Sequence, residues 1–243
     1  MPQEITTETV TLSVSDGTTM PAYVARPMSS GPHPGLLVFQ EAFGVNAHIK
    51  DIAERFARAG YLAIAPALFH RTDAGFEGIY TDFAAAMPHA MALTDTSQTA
   101  DIQAAYQWLT TTGGASAVGS TGYCLGGRAS FLADTLLPLK ASVSYYGGGI
   151  APSEGLPFPG LLDKAADLHG PILLFWGGLD SHIDAEQIST TEAALKAAGK
   201  PYTQVVFSNA DHGFFCDARA SYNPDAARQA WALTLEFLAT YVK

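Results

Sequence analysis

The strongest chemical signal in this chain is a cysteine with a glycine two residues to either side: Gly122-Tyr123-Cys124-Leu125-Gly126-Gly127. An apolar run, 117–119, precedes it, and a helix-like run, 128–133, follows it. A nucleophile between small residues, set between a strand and a helix, is the pattern of a nucleophile elbow. Such a turn strains its central residue, and only glycines at Gly122 and Gly126 leave room for the close approach of backbone it requires. The elbow lifts its side chain above the sheet at a helix N-terminus, where the dipole favours thiolate, the reactive form. Free cysteine is ordinarily a small buried hydrophobe. The paired glycines and the strand–turn–helix context weigh against that role here.

A thiolate nucleophile needs a base, and the base needs an orienting acid. In an elbow-type sheet the acid and then the base follow the nucleophile along the chain, on loops after later strands. Asp180 follows the strand-like run 171–176, and His212 follows the next one, 202–207. His182 is a rival base but lies on the same loop as Asp180, and reads as a pocket-edge or surface histidine. Asp184 suits a helix cap better than Asp180 does. Asp211 neighbours His212 on an extended loop and points away from it. The oxyanion hole is expected from the backbone N–H groups of Leu125 and of Ala42, on the loop after strand run 36–40. Glu41, on that loop, is either an exposed carboxylate or a buried group placed to take the thiol proton. His33, His48, His70, His89 and His169 show no metal-ligand spacing, so no metal and no cofactor are expected.

These residues need a scaffold that delivers them to one end of a sheet. Runs 10–14 and 20–25 alternate around Asp16-Gly17, a hairpin signal. Continuous apolar runs at 36–40, 61–65, 141–146 and 171–176, with 202–207, read as strands of a buried parallel sheet. Helices are expected at 46–60, from Thr94 or Asp95 to Leu109, after the elbow, at 184–198 and at 224–241. Strands alternating with helices imply an α/β chain with a mostly parallel sheet and helices on both faces. Segments 72–91 and 150–166 carry no clear pattern; both follow strand ends on the elbow's side and are expected to line the pocket.

Composition narrows the function. The 243 residues are 48% hydrophobic and 15% charged, enough for one well-packed domain spanning 1–243 and too apolar for disorder. A net charge of −10 disfavours nucleic acid and anionic membrane as partners, since both need a basic surface. The polar N-terminus and the lack of a long apolar run predict no leader and no membrane span. A catalytic Cys124 is incompatible with a structural bond to Cys216, so a reducing cytoplasm is expected, with a monomer as the default state.

The chain resembles the dienelactone hydrolase family of the α/β-hydrolase fold. The resemblance rests on Gln40-Glu41-Ala42-Phe43-Gly44-Val45-Asn46, Ala65-Pro66-Ala67-Leu68-Phe69-His70-Arg71, the Cys124 elbow, Tyr145-Tyr146-Gly147, Gly177-Gly178-Leu179-Asp180 and Asp211-His212-Gly213-Phe214. These segments span nearly the whole chain. The resemblance implies an α/β-hydrolase domain without a large cap and a triad of Cys124, His212 and Asp180. It implies that Glu41 meets the thiol and is displaced when substrate enters. It also implies hydrolysis of a small unsaturated lactone bearing a carboxylate, by way of a thioester.

One departure bears on substrate. Family members present arginines to that carboxylate, one of them four residues after the histidine, where this chain has Cys216. No arginine occurs in 72–94, and Arg219 lies beyond the expected position, which leaves Arg71 as the candidate. The substrate is therefore expected to be less anionic or larger, in a pocket walled by Phe43 and Tyr145. A broad arylesterase or thioesterase is the alternative enzyme. A non-catalytic redox sensor using Cys124 is the alternative outside enzymes.

Overall fold

Unbroken apolar runs become the middle of the sheet. The computed structural model describes residues 3–153, 156 and 158–243. Met1 and Pro2 of the polar N-terminus, and residues 154, 155 and 157 of the second patternless segment, lie outside the described residues. The strands are β1 (Ile5–Ser13), β2 (Thr19–Pro27), β3 (Gly35–Phe39), β4 (Leu62–Pro66), β5 (Val118–Tyr123), β6 (Ser142–Tyr145), β7 (Ile172–Gly177) and β8 (Tyr202–Phe207). All eight join one sheet in the order β1-β2-β4-β3-β5-β6-β7-β8. The pairs β1–β2 and β2–β4 are antiparallel, and those from β4 through β8 are parallel. Every residue of β3 to β7 is buried, as strands covered on both faces must be. This is the mostly parallel α/β-hydrolase architecture expected from the sequence.

The helices are α1 (Ala47–Arg58), α2 (His70–Asp73), α3 (Phe83–Met91), α4 (Asp95–Thr110), α5 (Leu125–Leu136), α6 (Ala185–Ala197) and α7 (Pro224–Tyr241). Their starts are capped by residues the sequence marks. Asn46 accepts from Ile49 N–H, Thr94 forms a capping box with Ser97, Asp184 forms one with Gln187, and Asn223 accepts from Ala226 N–H. Ser144 and Tyr145 show the two faces of β6. Gly127 of α5 packs against the Ser144 hydroxyl, whereas Tyr145 reaches Thr234 and Ala230 of α7. Helix α1 joins α7 on the second face, with the Phe56 and Trp231 rings 4.6 Å apart.

Two differences from the sequence reading have local causes. β1 begins at Ile5, five residues before the alternating run, because Ile5 through Thr9 pair with Pro27 through Tyr23 at the sheet edge. Most of that stretch is exposed, so the hydrophobic pattern does not mark it. The segment 72–91 contains α3, in which Pro88 and the alanines 84–86 obscure any apolar stripe; its start is set by Asp82, which accepts from Ala85 N–H at 3.1 Å.

Candidate active site

Cys124 sits between β5 and α5 with φ 55° and ψ −117°, a strained conformation for a residue with a side chain. The neighbouring glycines permit it. A Cβ on Gly122 would strike the carbonyl oxygen of Gly126, and one on Gly126 would strike those of Phe39 and Gln40. The same crowding draws the end of β3 against the start of α5. Leu125 is the first residue of α5, and its N–H has no acceptor a turn earlier. Among the described residues the Ala42 N–H also lacks a partner. Gln40 fixes the Ala42 loop by donating to Glu41 O and accepting from Leu68 N–H at 3.0 Å.

His212 and Asp180 come together at the ends of β8 and β7. Nδ1 of His212 lies 2.8 Å from Oδ2 of Asp180. Oδ1 of Asp180 accepts from the backbone N–H groups of His182 at 2.8 Å and Ile183 at 3.1 Å, so among the described residues this carboxylate has no side-chain cation besides His212. Burial alone would raise the pKa of Asp180, but these hydrogen bonds outweigh it and lower it. Burial alone would likewise lower His212. A thiolate at Cys124, then Asp180, would outweigh it and push the imidazole up to about 10. His182 is exposed, with its ring 5.3 Å from that of His212, which matches a pocket-edge histidine. The Asp211 side chain accepts from the His212 backbone N–H, at 2.6 Å, and does not reach its ring.

Glu41 is fully buried. Its Oε1 accepts from Arg219 at 3.1 Å and from the Tyr146 hydroxyl at 3.5 Å. It makes no hydrogen bond to Cys124, so the contact implied by the resemblance is replaced by an ion pair with Arg219. Arg219, set aside on sequence as too distant, is the arginine that reaches this site. Its guanidinium lies 5.9 Å from the Phe43 ring and 5.7 Å from the Tyr80 ring. It also feels the charge at Cys124. Successive turns explain the reach: Cys216 N–H donates to Gly213 O, Arg219 N–H to Cys216 O and Tyr222 N–H to Arg219 O, which coils the segment back on itself.

Two candidate substrate contacts fall elsewhere. Arg71 binds both oxygens of Asp101, at 2.8 and 2.9 Å, and Asp16 at 2.8 Å. Its charge is neutralised at the β1–β2 turn and is not free for a substrate. Tyr145 is completely buried; its hydroxyl lies 2.6 Å from Thr234 Oγ1 on α7. The next residue, Tyr146, faces the site instead, with φ 39° and its ring 5.1 Å from that of His212. Phe43 lies in a small aromatic wall, 4.6 Å from the Tyr80 ring and 5.9 Å from that of Phe83. Cys216 is buried and unpaired, beside Glu41 and His48. Burial and the nearby Glu41 push its thiol up to about 11. No helix among the described residues is long and apolar enough to cross a membrane.

The sequence profile of the dienelactone hydrolase family matches residues 20–242. A protein of Escherichia coli named "Putative carboxymethylenebutenolidase" is 39% identical over 232 residues, covering 93% of this chain and 84% of its own. One of the same name from Methylorubrum extorquens is 36% identical over 240 residues, covering 96% and 80%. The crystal structure of a Klebsiella pneumoniae protein described as a "Putative Dienelactone Hydrolase" superposes with a TM-score of 0.87 at 35% identity, over 98% of this chain and 100% of that one.

Proposed function

The chain belongs to the dienelactone hydrolase family, and from that premise we propose that it hydrolyses small carboxylate-bearing lactones or esters through Cys124, His212 and Asp180. The observation that carries this reading is Cys124 held at φ 55° on an elbow, with the 2.8 Å His212–Asp180 pair turned toward it.

The thiolate attacks the carbonyl carbon, forming the C–S bond as the carbonyl electrons move to oxygen. Leu125 and Ala42 N–H groups face that oxyanion. Its collapse breaks the C–O bond, and the leaving enolate takes a proton from the His212 imidazolium. Water then attacks the thioester carbonyl while neutral His212 takes its proton, and Cys124 leaves as thiolate. Asp180 holds the imidazole in orientation and balances its charge.

Arg219 supplies the cation that counting from His212 does not find. An incoming carboxylate competes with Glu41 for it, which favours an anionic substrate over a neutral one. Phe43, Tyr80 and Phe83 offer the apolar side of the pocket.

Steady-state hydrolysis of a dienelactone and of p-nitrophenyl acetate tests this. Cys124→Ala is expected to lose about 10⁴-fold or more in kcat on both. Arg219→Ala is expected to raise KM for the lactone about tenfold to a hundredfold and leave the neutral ester within a few-fold. Full activity in Cys124→Ala overturns the nucleophile. Equal losses on both substrates in Arg219→Ala overturn the anion contact and leave a general esterase.

A further inference from the structure

Glu41 offers Arg219 only one of its two oxygens. The other belongs to a second group of side chains that hydrolysis does not use. Glu41 from the loop after β3, His48 from the first turn of α1 and Cys216 from the coiled segment after His212 converge, with their donor atoms all within 4.8 Å of one another. All three residues are buried. Among the described residues, Oε2 of Glu41 and Nε2 of His48 are buried with no hydrogen-bond partner. Native interiors rarely leave such atoms unmatched, and two of them on side chains clustered with one thiol call for an electron-pair acceptor. A cation is such a ligand.

We propose that Glu41, His48 and Cys216 form a site for one zinc-class divalent cation. Carboxylate oxygen, imidazole nitrogen and thiolate sulfur together suit a borderline-soft metal and not magnesium or calcium, which take oxygen. Bonds of about 2.0–2.3 Å place the ligand atoms of a tetrahedral site about 3.3–3.8 Å apart. Contraction from within 4.8 Å needs shifts on the order of an ångström, within reach of side-chain rotation. Binding breaks the S–H bond of Cys216 and releases that proton to solvent; no electron is transferred. His48 binds neutral through Nε2, and Glu41 binds as the carboxylate. Water takes the fourth position, with the Tyr80 hydroxyl beside Cys216 as its neighbour.

There is also a way in. A cavity of about 240 Å³ opens at His48 and Phe215, rimmed by Asp51 and Asp217 against Arg55 and Arg228, so its charges balance and do not repel a cation. The site lies apart in sequence from any metal motif: His48 and Cys216 meet only because α1 and the segment after β8 both pack behind the β3 loop. Binding requires Glu41 but does not depend on the hydrolase reading.

The chain has two cysteines, so Cys124→Ala leaves Cys216 as the sole thiol. Cobalt(II) titrated into that variant is expected to give one equivalent of a thiolate-to-cobalt charge-transfer absorption, displaced by zinc. The band is expected to vanish in Cys124→Ala/Cys216→Ser and to weaken in Cys124→Ala/His48→Gln, with circular dichroism confirming that each variant is folded. No thiolate band in the first variant overturns the site. So does a band that survives loss of Cys216, or unchanged affinity without His48. Ester turnover by the wild type in the presence of a chelator reads the hydrolase proposal separately, so either can fail alone.

Discussion

Two buried histidine–aspartate pairs stand among the described residues, and one of them lies at the Cys124 elbow. At the end of the sheet, His212 lies 2.8 Å from Asp180; under the β1–β2 turn, His70 lies 3.0 Å from Asp101. Both pairs are almost free of solvent. The difference is in what else the carboxylate touches. Asp101 is gripped on both oxygens by Arg71, so its charge is already balanced. Among the described residues Asp180 has only backbone N–H groups beyond its histidine, so its charge is available to an imidazolium. A histidine beside an aspartate is therefore not yet a catalytic base. A guanidinium on the same carboxylate converts the motif into a clamp joining α2, α4 and the hairpin.

Asparagine at Asp180 should have the largest effect. Asp180→Asn is expected to lower kcat about 10⁴-fold, with the fold intact by circular dichroism, because a neutral amide no longer balances the imidazolium and can donate to the ring, fixing the wrong tautomer. A loss under tenfold would put Asp180 in the same structural class as Asp101.

Cys124 and then Asp180, acting on His212, fix a pH dependence. The folded-state pKa of His212 is raised to about 10, against about 6.5 in an unfolded chain. Its contribution to stability is thus fully present below pH 6.5 and is lost as pH rises through about 10. Melting temperature followed across that window should fall in the wild type and fall less in Asp180→Asn. Parallel curves would mean that the pair does not hold the proton.

At the clamp the expected losses are of stability. Asp101→Ala leaves His70 without its partner and Arg71 with Asp16 alone, at a cost of about 3 kcal/mol and on the order of 10 °C in Tm. Below the melting range kcat/KM should remain within a few-fold. The smallest effect belongs to His70→Gln, about 1–2 kcal/mol with kcat unchanged. His212→Gln, the matching substitution, should abolish turnover. Equal kinetic effects at His70 and His212 would erase the contrast.

Much of this was legible in the sequence where chemistry and backbone agree locally. The elbow glycines announce Cys124, and Asp180 and His212 each follow an apolar run that can only be a strand. The parallel core is written in runs that are apolar on both faces. What was not legible depends on distance folded away between turns. Arg219 was discounted by its separation from His212, and a coil of three consecutive turns carries it back. Tyr145 and Tyr146 are identical in type, and the departure of Tyr146 to φ 39° at the strand end decides which lies beside His212. Arg71 looked available because Asp16 and Asp101, its partners, are remote in sequence. Cys216 read as a missing arginine, while its nearness to His48 has no sequence signal at all.

On the proposed reading, the Glu41–Arg219 pair gives the pocket a tethered rival for its own ligand. A carboxylate attached to the same chain never dilutes, so a visiting carboxylate competes against a fixed effective concentration and not against empty space. Weak anions of the cell, present in large excess, then leave the arginine undisturbed. Only a molecule whose ring also fits the aromatic wall gathers enough binding energy to evict the resident. The pair thereby sets an admission threshold, one that trades affinity for silence in the absence of the right guest.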